Sequence, residues 1–215
     1  MKILAVADEV SSYLYKERFD KDHFEDQYGE IDAIVSCGDL KPTYLQFLSS
    51  VFQEELYYVR GNHDSRYKPG KDGYRGLVNL DGTLKTIQTN NGSDRQFTIA
   101  GMEGSIYYSP DQQRVQYTEW QMKRRIWKLQ LSMKLKQLVG PCSLDIFVAH
   151  SDRYRDSVPQ GAHRGFKSFN TFFKKVEPKV FLHGHTHHYC DVPEQEIFHN
   201  TRVINVVGYK VVEVE

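Results

Sequence analysis

The feature of this sequence that most constrains its fold is a set of five short apolar runs, each followed by acidic, amide or imidazole side chains. The runs are Lys2–Ala7, Ile31–Cys37, Glu55–Val59, Asp145–Ala149 and Lys179–Leu182. Short apolar runs with turn residues at their ends are typical of buried strands. Helical patterns lie between them, at Ser12–Phe19, Thr43–Phe52 and Phe166–Val176. The alternation predicts a mixed α/β fold.

Two further segments carry strand signals of a different kind. Leu77–Met102 contains the turn pairs Asp81-Gly82 and Asn91-Gly92 between β-rich runs, which predicts a hairpin or meander. Glu196–Val214 is β-branched and alternating, with Gly208 as a turn. These signals favour two sheets rather than one purely parallel sheet. With no internal repeat or linker, we expect a single domain over residues 1–215.

The polar residues that follow the strands form a chemically coherent set. In α/β sheets the carboxyl ends of the strands are where ligands bind, so these side chains are expected to meet at one place. Carboxylate, amide and imidazole groups together suit a divalent ion such as Mn, Fe or Zn. Glycines precede several of them and let the backbone approach closely. The candidate ligands are Asp8, Asp39, Asn62, His150, His185 and His187.

Each of these positions has an ordinary structural interpretation when taken alone. A strand-end Asp is usually a turn former or a helix cap, and Gly61-Asn62-His63-Asp64 alone looks like a simple turn. The segment His183-Gly184-His185-Thr186-His187 is a stronger signal, because three histidines in five residues seldom serve packing. Their combination favours a metal centre, with Asp39 as the natural carboxylate to bridge two ions.

The series Asp8, Gly38-Asp39, Gly61-Asn62-His63-Asp64, His150 and Gly184-His185-Thr186-His187 resembles the calcineurin-like metallophosphoesterase superfamily. The resemblance implies a two-sheet β-sandwich flanked by helices, in four α/β/β/α layers. It also implies two divalent ions, whose identity among Mn, Fe, Zn, Ni and Co stays open. The first ion would be held by Asp8, Asp39 and His187. The second would be held by Asp39, Asn62, His150 and His185.

One position departs from the family pattern. The family opens with Asp-x-His, whereas this chain has Asp8-Glu9-Val10, so one ligand of the first ion is missing. Because residues two apart on a strand share a face, we expect Val10 to lean toward the metals with Asp8. Valine offers no lone pair, so the first ion is expected to bind more weakly than the second.

The resemblance implies a hydrolase that cleaves a small phosphoester or nucleotide with a metal-activated hydroxide. In this scheme His63 donates the proton and Asp64 orients it. A phosphodiester is favoured, because Asp39 is followed by Leu40-Lys41-Pro42 rather than by the acidic, arginine-rich extension of the family's protein phosphatases. Manganese is the first ion to test.

Two loops supply secondary candidates. His163 and Arg164 precede a predicted helix, where Arg164 could bind a phosphate bidentately and the helix start favours anions. The alternative is that both residues only fix the loop. Tyr107 and Tyr108 could form an aromatic wall for a base or an aryl leaving group, or could simply be surface residues.

The segment 117–138 predicts an amphipathic helix packed on the sheet through Trp120, Ile126, Trp127, Leu131, Leu135 and Leu138. It also carries six basic residues, Lys123, Arg124, Arg125, Lys128, Lys134 and Lys136. Such a helix is usually a solvated face, but it can indicate a polyanion partner. Two alternative functions therefore stay open: a nuclease that uses this helix, and a degenerate phosphoesterase fold that serves as a protein-interaction scaffold.

Charge and cysteine content bear on the partners and the compartment. Basic and acidic residues balance at 28 each, so the overall charge favours neither nucleic acid nor a membrane as a partner. The three cysteines, Cys37, Cys142 and Cys190, are odd in number and widely spaced, which argues against a disulfide framework. With no membrane-spanning run or signal peptide evident, we expect a cytoplasmic protein.

Overall fold

A computed structural model describes residues 1–64, 73–89, 95–111, 113–158, 161–186 and 192–215. The strands are β1 Lys2–Ala7, β2 Ala33–Ser36, β3 Leu56–Tyr58, β4 Val78–Asn79, β5 Leu84–Gln88, β6 Gln96–Met102, β7 Ser105–Ile106, β8 Gln116–Tyr117, β9 Ile146–Ala149, β10 Val180–His183, β11 Gln195–Phe198, β12 Thr201–Asn205 and β13 Gly208–Glu213. The helices are α1 Lys21–Tyr28, α2 Pro42–Phe52, α3 Glu119–Gln137 and α4 Lys167–Val176, with a 3-10 helix at Ala162–Arg164.

The strands form two main sheets. The first has the order β13-β1-β2-β3-β4, in which β1 to β4 run parallel and β13 is antiparallel. The second has the order β11-β12-β10-β9-β6-β5, with four central parallel strands and antiparallel strands at both edges. In each sheet the carboxyl ends of the parallel strands therefore lie along one edge.

Three apolar clusters separate four layers. One cluster lies between the two sheets, a second between the first sheet and helices α1 and α2, and a third between the second sheet and helices α3 and α4. Strand β1 shows how the sequence achieves this, because its alternate residues face opposite layers. Ile3 and Ala5 face the other sheet, whereas Leu4 and Val6 face the helices. The predicted four-layer α/β/β/α sandwich is confirmed.

The predicted hairpin in Leu77–Met102 is confirmed as the antiparallel pair β5–β6, although the Asn91-Gly92 turn lies outside the described residues. The C-terminal tail divides between the sheets. Strands β11 and β12 form a hairpin on the second sheet, and β13 then pairs with β1 in the first. Gly208 begins β13 with φ +69, a value that suits glycine.

The helix predicted at Ser12–Phe19 is wrong. That segment makes two short turns, with Tyr15 N bonded to Ser11 O at 2.9 Å and Phe19 N bonded to Lys16 O at 3.3 Å. The Ser11 hydroxyl accepts from Leu14 N at 3.3 Å. The helix begins after Asp20, whose carboxylate caps it by accepting from His23 N at 3.0 Å. A capping side chain satisfies an amide that a helix start leaves unpaired, and this fixes the later start.

The contacts predicted for α3 are also largely wrong. Of the six apolar residues expected to pack on the sheet, only Ile126 is buried. Met122, Leu129 and Met133 form the packing face with it, and the other five point to solvent. The prediction from spacing had combined residues that lie on two opposite faces of the helix. Among the described helices, α3 included, none is both long enough and apolar enough to cross a membrane.

Candidate metal centre

The carboxyl ends of the two sheets are joined by hydrogen bonds between strand-end residues. His150 Nδ1 lies 2.9 Å from the carbonyl oxygen of Cys37, on the other sheet. The backbone N–H of His185 donates to Asp8 Oδ2 at 2.8 Å, again across the sheets. The sandwich thus brings together strand ends that are up to 177 residues apart in sequence.

Four side chains converge in this seam, and we call Asp39, Asn62, His150 and His185 the inner cluster. His150 Nε2 lies 2.8 Å from Asn62 Oδ1, 3.1 Å from His185 Nδ1 and 3.3 Å from Asp39 Oδ2. One ligand atom each from Asp39, His150 and His185 lies within 4.8 Å of the others. His150, Asn62 and His185 are buried. Four possible ligand atoms therefore face one another in an enclosed site.

The second ring nitrogen of each histidine is held by a backbone carbonyl. His150 Nδ1 donates to Cys37 O, and His185 Nε2 lies 3.0 Å from Ala162 O. The proton on the tethered nitrogen leaves a lone pair on the other nitrogen, which faces the inner cluster. Carbonyl tethers of this kind fix the tautomer and orientation of metal-binding histidines. The donor set fits a divalent ion such as Mn, Fe or Zn.

The charges in the inner cluster are linked. Burial lowers the pKa of His150, but the Asp39 carboxylate outweighs burial and raises it to about 9. Burial raises the pKa of Asp39, but His150 outweighs it in turn and brings it down to about 2. Burial and the neighbouring His150 charge hold the pKa of His185 well below its usual value. The metal-free cluster therefore keeps a proton on His150, which balances the negative charge of Asp39 as a bound cation would.

The backbone at three candidate ligands adopts a conformation that L-residues rarely take. Asp8, Asp39 and His185 have φ values of +61, +58 and +66. Backbone strain of this kind concentrates at functional sites. The preceding Gly38 is required for a related reason, since a Cβ there would collide with the backbone of Gly61. The predicted close approach of these strand ends is confirmed.

The Asp8 side of the site differs from the sequence-based expectation. Because Asp8 has a positive φ, strand geometry ends at Ala7 and does not carry through to Val10. Val10 is 46% exposed, so the prediction that it leans toward the metals with Asp8 is wrong. His187, the third predicted ligand of the first ion, lies outside the described residues.

His63 is exposed at the mouth of the site. Its backbone N–H donates to Asp39 Oδ1 at 2.8 Å, and its ring Nδ1 lies 3.1 Å from Arg114 Nη1. Because a guanidinium group only donates, Nδ1 accepts and the ring proton is placed on Nε2. Arg114 Nη1 also donates to Tyr108 Oη at 2.8 Å, and Tyr108 Oη accepts from Asn62 Nδ2 at 2.8 Å.

Arg114 was missed by the sequence analysis. It lies 51 positions from His63, on a turn with no motif of its own. Its position six residues after Tyr108 is the one signal that could have suggested it. Tyr108, which was considered only as an aromatic wall, also holds the Asn62 amide in place.

Asp64 bonds to the backbone of two loops, its own and the one that contains Asp39. Its Oδ2 accepts from Asp39 N at 2.9 Å and from Gly61 N at 2.7 Å. Burial raises its pKa to about 6. These bonds align the two strand ends, and orientation of His63 by Asp64 stays a prediction.

Of the two loop candidates, the structure brings His163 to the site. His163 Nδ1 lies 2.7 Å from the carbonyl oxygen of His185, and the two rings are 4.5 Å apart. The Arg164 guanidinium lies 5.7 Å from the Tyr154 ring. The start of α4 does not offer an open anion site, because Glu119 accepts its first backbone N–H groups at 3.0 and 2.7 Å.

Residues 1–189 match the family model described as calcineurin-like phosphoesterase. A Thermus thermophilus protein of known crystal structure superposes with a TM-score of 0.66 and 18% identity, covering 100% of this chain and 96% of that one. A putative 5'-nucleotidase from Staphylococcus aureus gives a TM-score of 0.60 and 15% identity, covering 95% of this chain and 48% of that one. An uncharacterized Haemophilus influenzae protein is 22% identical over 176 residues, 72% of each chain. The similar structures show the fold, and the family model shows that the chain belongs to the calcineurin-like phosphoesterase family.

Proposed function

We propose that this protein is a divalent-metal-dependent phosphoesterase whose principal ion lies in the inner cluster. The observation that carries the proposal is the orientation of that cluster. Its histidines are tethered at one nitrogen and present the other to a common point, beside a carboxylate and an amide oxygen. An arrangement that served only packing would have no reason to aim these nitrogen and oxygen atoms at one point.

When bound, a divalent ion would polarise a phosphoryl oxygen and lower the pKa of water enough for attack at neutral pH. The family resemblance supports a further role for Asp39, whose carboxylate could serve two ions. In the neutral tautomer that the Arg114 contact favours, His63 Nε2–H would hydrogen-bond the leaving oxygen. To protonate that oxygen, His63 would have to be in its imidazolium form, with Nδ1 protonated and released from Arg114. Arg114 would also add a positive charge beside the phosphate.

The test is hydrolysis of bis-p-nitrophenyl phosphate and p-nitrophenyl phosphate by the full chain, with Mn²⁺, Zn²⁺, Fe²⁺, Ni²⁺ or Co²⁺. We expect metal-dependent turnover, with the diester favoured. No turnover of either ester with any of these ions would reject the phosphoesterase proposal.

The His63 role has its own test. His63→Ala should retain metal and lose about 10²–10⁴-fold in kcat. The loss should be smaller for p-nitrophenolate than for an alkoxide leaving group, because the better leaving group needs less protonation. Arg114→Gln should give a smaller loss with the same leaving-group trend. Equal losses for good and poor leaving groups would assign both residues to phosphate binding alone.

The substrate is proposed to be a small phosphoester or a nucleotide. Tyr107 is 56% exposed and Tyr108 is 37% exposed beside the cluster, where they could contact a base. The segment after Asp39 supports a diester. Helix α2 begins at Pro42, only three residues after Asp39, and the acidic, arginine-rich extension of the family's protein phosphatases is missing there. A turnover screen across mononucleotides, cyclic nucleotides and oligonucleotides would identify the class.

Two alternatives make different predictions. The scaffold alternative is favoured by Val10, and it predicts no tight ion in the inner cluster. The nuclease alternative is favoured by the basic residues of α3, and it predicts that substrate binding weakens steeply with salt. Metal titration tests the first alternative, and the salt dependence of KM for an oligonucleotide tests the second.

A further inference from the structure

Helix α3 has two apolar faces, and only one of them is covered. Met122, Ile126, Leu129 and Met133 pack into the core. Trp120, Trp127, Leu131 and Leu135 lie on the opposite face, and Leu138 and Val139 follow the end of the helix at Gln137. We call these six residues the α3 stripe. Their exposed fractions are 63, 61, 43, 57, 82 and 93%. Single exposed apolar residues are ordinary, but a contiguous row on one helix marks a surface that is covered in function.

The stripe is narrow and straight. At about 100° per residue, Trp120, Trp127, Leu131 and Leu135 fall within about 80° of one another around the helix. From Trp120 to Leu138 the stripe extends for about 27 Å. It therefore presents an apolar ridge along the outside of α3, with a groove beside Trp127 between α3 and α4.

Basic residues line both sides of this ridge. Lys123 and Lys134 lie on one side, and Arg124 and Lys128 lie on the other. The one acidic residue of α3, Glu119, is already engaged by the backbone N–H groups at the start of α4. Lys167 and Lys175 of α4 line the groove beside Trp127 and extend the positive surface. The stripe is thus apolar in the middle and carries basic side chains along its edges.

We propose that the α3 stripe docks the protein on an anionic lipid bilayer. Tryptophan and leucine on one face with lysine and arginine beside them are what an interfacial helix uses, since the apolar groups enter the acyl boundary and the cations reach the headgroups. An oligonucleotide would account for the cations and tryptophans but leaves Leu131, Leu135 and Leu138 without a role. The overall charge is balanced, so the positive charge is a local property of this surface.

The experiment is flotation of the full chain with phosphatidylcholine vesicles, with and without phosphatidylserine. We expect binding to the phosphatidylserine vesicles that weakens with salt. W127S/L131S should reduce the partition coefficient about tenfold or more. K123E/K128E should reduce it by more than the roughly fivefold expected for loss of one cation.

Matched controls lie elsewhere on the surface. Arg18→Glu changes an exposed cation near α1, in the layer on the opposite side of the sandwich, and Ile197→Ser removes an apolar side chain that is 66% exposed on β11. Both should leave flotation unchanged, and all variants should keep the wild-type circular dichroism spectrum.

Absence of flotation, or flotation that W127S/L131S leaves unchanged, would overturn the proposal. Self-association in the absence of vesicles that W127S/L131S abolishes would also overturn it, by assigning the stripe to a second copy. Oligonucleotide binding that depends on Lys123 and Lys128 without any vesicle binding would assign the surface to nucleic acid instead.

Discussion

The inner cluster and the Asp8 side of the same site differ in how their side chains are held and how far they are buried. In the inner cluster, each histidine is buried, tethered by a carbonyl and aimed at a shared point. On the other side, Asp8 accepts a backbone N–H from His185, and Val10 lies toward solvent. Asp8 therefore has an architectural role whether or not it also binds an ion, because it locks the His185 backbone across the two sheets.

The difference shows that a motif residue can be retained for the geometry it imposes as well as for the ligand it supplies. Pre-organised ligands lose little freedom on binding, so the inner cluster should bind metal more tightly than the Asp8 side. Substitutions on the two sides of the site test that inequality, and the largest effect is expected at Asp39.

Asp39→Asn should abolish metal binding on both sides of the site. The change takes away the carboxylate proposed to serve both ions and leaves His150 without its charged neighbour. We expect activity to fall by more than about 10⁴-fold and metal content to be lost with it. Asp32→Asn is the matched control. Asp32 is also a buried carboxylate, but it lies outside the site and accepts from Lys2 N at 2.7 Å. A D39N protein that holds stoichiometric metal and turns over normally would show that the bridging role is wrong.

The inner cluster should bind metal with a strong dependence on pH. The pKa of His150 is raised to about 9 in the metal-free protein, so His150 carries a proton below that pH and must release it to bind an ion. Affinity should therefore rise about tenfold per pH unit, or about a hundredfold from pH 6 to pH 8, and level off above pH 9. Calorimetry in buffers of different ionisation enthalpy would count the released proton. Affinity that stays constant over this range would contradict the Asp39–His150 pairing.

Tyr108→Phe should weaken metal binding in the inner cluster and not on the Asp8 side, although it also removes a hydrogen-bond acceptor of Arg114. It removes the hydroxyl that accepts from Asn62 Nδ2 and so frees the amide to turn its oxygen away. Loss of such an orienting partner typically reduces metal affinity by about tenfold or somewhat more. Tyr107→Phe, at the neighbouring exposed tyrosine, is the control and should change nothing. Equal metal affinities for the two variants would mean that Tyr108 does not orient Asn62.

The smallest effect is expected at Val10. In the wild type we expect unequal occupancy, with the inner cluster filled first and a second ion binding at higher metal concentration. Val10→His should tighten the second ion by only about fivefold or less, because the side chain at this position faces solvent. Titration calorimetry measures both ions, with Glu9→Gln as the comparison. Two equally tight ions in the wild type would contradict the inequality.

The strand ends were predictable from sequence because a buried strand followed by a turn leaves a local signature. β1 and β10 begin within a residue of their predicted starts, and the glycine at position 38 signalled the close approach that the structure shows. The start of helix α1 was not predictable from periodicity, which placed a helix at Ser12–Phe19. The capping side chain of Asp20 decides where α1 begins.

The sequence by itself determined the four-layer class, the family and the residues brought to the seam, since these follow from local patterns and from motif order. Only the tertiary structure decided which atoms of those residues face one another. Arg114 reaches His63 across 51 residues, and Val10 turns outward because Asp8 leaves the strand conformation. Both outcomes depend on how separate loops pack at the end of the sandwich. The same holds for the exposed face of α3, because a spacing that is apolar on two sides does not specify which side the sheet will cover.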